Sequence, residues 1–81
     1  MEKEFMVQLK TIKDVSTFTS IASTFKCDID LVSDRYVVDA KSVMGIYSLN
    51  LSEPIKVVIG ADASDEEVAA VKEAYKQFII D

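Results

Sequence analysis

Ser42 is the residue whose type and setting point most directly to chemistry. It joins a predicted strand to a predicted two-turn helix, where an N-cap belongs. Its hydroxyl can accept a bond from a free backbone N–H one turn in. At 100° per residue, Ile46 and Leu49 share one face of that helix, and Val43, Met44 and Tyr47 share most of another. If the first pair points into the protein, the other three stay largely in water, an apolar patch beside a helix N-terminus that suits protein docking. Cys27 is the single thiol. It has no CxxC partner and no visible base, and it alternates in phase with Ile29 and Leu31, which reads as a buried structural thiol. The acidic pairs Asp28 with Asp30, and Glu66 with Glu67, read as solvated faces and cap chemistry. Neither has the loop spacing of a calcium site. No zinc spacing, phosphate-cradling glycine loop or catalytic triad is present, and no metal or cofactor is expected. The chain has no histidine, so the usual imidazole nucleophile and base are missing.

The composition bounds what those residues can serve. Eighty-one residues suffice for one domain and one core, so 1–81 is read as a single unit. Apolar content of 49% with 28% charged residues fits a compact fold rather than a disordered tail. A net charge of −5 makes nucleic acid a poor partner, because phosphate binding needs clustered Lys and Arg. No apolar run approaches a membrane span, and Met1-Glu2-Lys3-Glu4 is not followed by a signal-peptide core. With one cysteine, the expected compartment is the reducing cytoplasm.

The elements that must position these residues follow from periodicity. Phe5, Val7 and Leu9 alternate with Glu4, Met6 and Gln8 as a half-buried first strand. Val15, Phe18, Ile21, Ala22 and Phe25 recur at helical spacing, with Asp14 or Ser16 as the cap. Cys27 to Leu31 and Tyr36 to Ala40 read as a hairpin turned at Ser33-Asp34. The short helix after Ser42 is expected to end near Asn50. Ile55 to Ile59 is the most continuously apolar strand and is predicted to be central. Ser64-Asp65-Glu66-Glu67 is a capping box. Val68, Val71, Tyr75, Phe78 and Ile79 then form the stripe of a helix running almost to the C-terminus. The order β-α-β-β-α-β-α with three amphipathic helices predicts an α+β open-faced sandwich. Its helices cover one face of a four-stranded sheet.

The run Lys41-Ser42-Val43-Met44-Gly45-Ile46-Tyr47-Ser48-Leu49 resembles the regulatory-serine segment of the HPr-like family, phosphocarriers of the sugar phosphotransferase system. The typical run there is Lys-Ser-Ile-Met-Gly-Val-Met-Ser-Leu. The resemblance extends back through Ala22 to Leu31 and fades in the first twenty residues. It implies the same open-faced sandwich, with an antiparallel sheet. It also implies a phosphate-carrying His just before the first helix, in a segment like His-Ala-Arg-Pro-Ala. This chain has Thr11-Ile12-Lys13-Asp14-Val15 there, with Thr11 at the His position and Lys13 at the Arg position. Thr is a weak nucleophile without a base, so the phosphohistidine relay cannot run. Lys13 is either an anion or carboxylate contact or an ordinary solvated lysine.

By the same resemblance, Ser42 matches the serine phosphorylated by a dedicated kinase in HPr and in its His-less relative Crh. A phosphate there would set new charge at the edge of the Val43, Met44 and Tyr47 patch. The alternative is a cap and nothing more, worth about 1 kcal/mol. The expected function is therefore a non-enzymatic regulatory or protein-interaction module. Its implied partners are phosphotransferase-system enzymes, an HPr kinase or a transcription regulator. Two other readings stay open: phosphotransfer on a non-His acceptor such as Thr11 or Cys27, and a structural domain that dimerises weakly through the patch.

Overall fold

The computed structural model describes residues 2–80, so Met1 and Asp81, the ends of the expected unit, lie outside the described residues. The order is β1 (Glu4–Val7), α1 (Ile12–Ala22), β2 (Ile29–Ser33), β3 (Tyr36–Asp39), α2 (Val43–Tyr47), β4 (Ile55–Ile59), α3 (Asp65–Ala74) and β5 (Ile79–Ile80). The strands form one antiparallel sheet in the order β3-β2-β4-β1-β5, which puts β4 in the middle as its apolar run predicts. Ile29 and Leu31 on β2 and Ile55, Val57 and Ile59 on β4 alternate into the core. There they meet Val15, Phe18 and Ala22 of α1, Ile46 of α2, and Val68 and Val71 of α3. The other sheet face carries Asp30 and Val32, Lys56 and Val58, and Met6, which are half-buried or exposed.

Several boundaries differ from the sequence reading. The sheet has five strands rather than four. α3 stops at Ala74, with Tyr75 as its C-cap, instead of running to the end. The Phe78 N–H donates to the Tyr75 carbonyl (2.8 Å), and the Phe78 carbonyl accepts from Gln8 N–H (3.0 Å). Ile79 and Ile80 can then pair with Val7 and Met6. Two adjacent β-branched residues beside an open edge of β1 gain more from the ladder than from a last helical turn. Phe78 stays buried, reached by a turn rather than by helical spacing. Tyr75 stacks on Phe18, with ring centroids 4.0 Å apart and 6° between planes, and its hydroxyl donates to the Phe18 carbonyl (3.0 Å).

Neither Asp14 nor Ser16 caps α1. Thr11 is the N-cap, and Asp14 closes a capping box from the third helical position. β2 starts at Ile29, two residues past Cys27. The hairpin turns at Asp34-Arg35, with Asp34 in the left-handed region (φ 53°) that short polar side chains tolerate. α2 ends at Tyr47 with Ser48 as C-cap, short of Asn50. The Asn50 side chain instead accepts from Ser52 N–H (3.1 Å) in the following turn.

Candidate functional site

Two hydroxyls cap the two helices nearest the resemblance. Ser42 Oγ accepts from Gly45 N–H at 3.0 Å, and α2 needs this because five residues make too few internal bonds to stand alone. Asp39 sets the approach by accepting Lys41 N–H on Oδ1 (2.8 Å), while the Asp39 carbonyl takes Ser42 N–H (2.9 Å). Gly45 makes the close packing possible: a Cβ there would lie 3.1 Å from Ser42 Oγ and 3.2 Å from Val38 Cβ.

Anchored this way, α2 buries Ile46 completely, and Leu49 beyond it is 6% exposed. Val43 (39%), Met44 (79%) and Tyr47 (42%) face outward together, as the helical spacing predicts. Helix α1 packs against α2. Lys13 stands on α1, exposed and on a different element from the other three.

At the start of α1, Thr11 Oγ1 accepts from Asp14 N–H (3.0 Å). Asp14 Oδ2 accepts from Lys10 N–H (2.9 Å) and Thr11 N–H (3.3 Å). The Asp14 carboxylate is thus turned onto backbone donors and is not placed to take the Thr11 hydroxyl proton. Sequence reasoning passed over Ile12, the first residue of α1, which is 75% exposed. Ile12 lies three residues before Val15, so spacing alone does not set it apart from the Val15, Phe18, Ala22 stripe, and its exposure goes with its place at the first position of the helix.

Cys27 is 8% exposed. Burial first, and the nearby Glu67 carboxylate second, push its thiol above the ordinary value. It borders a shallow hollow of about 160 Å³ with Lys26, Asp62, Ala63 and Glu67. A thiol held protonated among acids is a poor nucleophile.

A small sheet backed by three helices, each capped by a hydroxyl and one showing an apolar outer face, defines an open-faced α+β sandwich. The chain belongs to the HPr family: the family described as PTS HPr component phosphorylation site matches residues 12–78. That match begins one residue past Thr11. The chain is 36% identical over 59 residues to phosphocarrier protein HPr of Borreliella burgdorferi, covering 73% of this chain and 69% of that protein. It is 34% identical over 75 residues to the HPr-like protein Crh of Bacillus subtilis, covering 89% and 88%. Among solved structures, HPr-C-His from Thermoanaerobacter tengcongensis is similar with a TM-score of 0.73 at 28% identity, over 94% of this chain and 93% of that one. The scaffold is therefore that of a phosphotransferase-system HPr. Among the described residues, no helix is long and apolar enough to cross a membrane.

Proposed function

We propose that this chain is a regulatory, non-enzymatic member of the HPr family that acts by being recognised through α2, with Ser42 as its point of control. The observation that carries the proposal is the division of α2. Ile46 and Leu49 anchor it, while Val43, Met44 and Tyr47 stand in water beside a serine in the family's regulatory-serine run. Exposed apolar side chains on a capped, rigid helix are the kind of surface a partner protein covers. The absence of any histidine supports the same reading from the other side. Thr11 has no base, and Cys27 is buried and protonated. In this reading the module is cytoplasmic. It binds phosphotransferase-system enzymes, an HPr kinase or a transcription regulator, and Lys13 supplies a charged contact from α1.

Phosphorylating Ser42 would add charge at the edge of the patch and take the Oγ away from its cap role. The test is incubation with an HPr kinase and ATP, read by intact mass. Wild type is expected to gain one phosphate and Ser42→Ala none. Met44→Ala with Tyr47→Ala is expected to raise KM for the kinase while Ser42 stays present. No adduct on wild type, or an adduct that survives Ser42→Ala, removes Ser42 as the control point. An unchanged KM in the double variant removes the patch as the docking surface.

A further inference from the structure

We propose that two copies of this chain pair reversibly through β3, edge to edge and antiparallel, centred on Val37. This inference does not use α2 or Ser42. β3 is one edge of the sheet, and it carries Tyr36 at 60% and Val37 at 63% exposure. The backbone decides which residues can pair outward. Ala40 N–H donates to the Ile29 carbonyl (2.9 Å), so Ala40, Val38 and Tyr36 turn their polar groups toward β2. Val37 therefore points its N–H and C=O off the sheet, as Asp39 does its N–H. An outward ladder must match odd residues with odd residues.

Three two-fold registers satisfy that rule, and the side chains choose among them. Centring on Val37 sets Val37 on its own symmetry mate, Tyr36 opposite Val38, and Arg35 opposite Asp39. The segment Arg35-Tyr36-Val37-Val38-Asp39 is its own complement when read antiparallel. Aromatic with β-branched, and cation with anion, are the favourable cross-strand pairs. Centring on Tyr36 instead sets Arg35 against Val37 and Asp34 against Val38. Centring on Val38 sets Arg35 against Lys41 and Asp39 against Val37. Only the first register leaves no mismatch.

Two features on this chain favour the same match. Val32 lies opposite Val37 within the sheet, so the paired copies would carry an apolar row Val32, Val37, Val37, Val32 across the join. Asp39 faces Asp30 across the β2–β3 ladder, and an incoming Arg35 would offset that like-charge pair. The charged ends also hinder other registers, the usual protection of an exposed edge. The contact is isologous and closes as a dimer. Five residues a side fall well short of the roughly 1,200–2,000 Å² of a stable interface, so the association is expected to be weak, on the order of 0.1–1 mM.

Sedimentation velocity from roughly 10 µM to 1 mM spans that range. Wild type is expected to move from monomer toward dimer, while Arg35→Asp and Asp39→Arg each stay monomeric because their ends repel. An equimolar mixture of the two variants is expected to dimerise again. Asp39 also holds Lys41 N–H (2.8 Å), so the fold of Asp39→Arg is checked by circular dichroism. Amide exchange at Val37 of wild type, expected to slow about two- to fourfold as concentration rises through this range, reads the same pairing with no substitution. A wild type that stays monomeric, a dimer that Arg35→Asp leaves intact, or a Val37 amide indifferent to concentration would overturn the proposal.

Discussion

At the scale of single residues, the region around Ser42 is held by one hydroxyl and one missing side chain. Ser42→Ala removes the acceptor for Gly45 N–H and is expected to lower stability by about 1 kcal/mol. Gly45→Ala sets two effects against each other. Helix propensity favours alanine by about 1 kcal/mol. The new Cβ, however, meets Ser42 Oγ at 3.1 Å and Val38 Cβ at 3.2 Å. Val38 Cβ is fixed to the strand backbone and cannot swing away, and overpacking of this kind costs about 1–3 kcal/mol. The net is a loss, so both variants should melt below wild type in urea, with unchanged m. The cap at Ser42 was legible in the sequence, because a serine before an apolar helical run has few other roles. The cap at Thr11 was not. Asp14 carries the stronger helix-start signal, and only the backbone path shows that it sits in the third helical position, reaching back.

At the scale of elements, strand phase decided what could be read. The alternations on β2 and β4 gave the buried faces directly, since a one-residue slip would turn Ile29, Leu31, Ile55, Val57 and Ile59 to the other side. The C-terminus was misread because Tyr75, Phe78 and Ile79 fit a helical stripe and also fit a turn followed by a strand. The open edge of β1 breaks that tie, and it is a tertiary fact. Removing Ile79 and Ile80 should therefore cost about 1–2 kcal/mol from lost burial of two half-buried isoleucines. A helix running to the end would bury Ile79 but leave Ile80 in water, so on that reading Ile80→Ala alone would cost almost nothing, whereas pairing with Met6 makes it cost a measurable part of that sum.

The β2–β3 hairpin makes a second prediction. Asp30 faces Asp39 on β3 and Val58 on β4. Burial first, then Asp39 and Asp28, hold its carboxyl above the ordinary carboxylate range. A folded-state pKa above the unfolded one means the native state binds the proton more tightly. Asp30 therefore favours folding in acid, and that contribution is lost as pH rises through its folded pKa. Asp30→Asn should be more stable than wild type at pH 7 by about 0.2–1 kcal/mol, the size of a cross-strand like-charge penalty. The gain should fade as pH drops through the carboxylate range, and it should narrow in high salt. Thermal melts at pH 7 and at pH 3 check the sign.

At the scale of the whole molecule, the five-stranded sheet and three helices keep the architecture of a phosphocarrier, while the chain has no histidine. The architecture was legible because one apolar pattern per element leaves few ways to bury three helical stripes on one sheet. The exposed apolar positions were half legible. Val43, Met44 and Tyr47 follow from the period of α2, but exposed Ile12 does not, since helix phase had to be fixed at Thr11 first. The self-complementary edge of β3 was invisible until the ladder showed which backbone groups face outward.

On the proposed reading, recognition has replaced phosphate carriage on this scaffold. Its most direct test offers the protein to a phosphotransferase-system enzyme charged from phosphoenolpyruvate, with an HPr as positive control, and reads intact mass. The HPr is expected to take up one phosphate while this chain takes up none. A stoichiometric phosphoprotein, on Thr11, Cys27 or any other residue, would mean that the scaffold still carries phosphate.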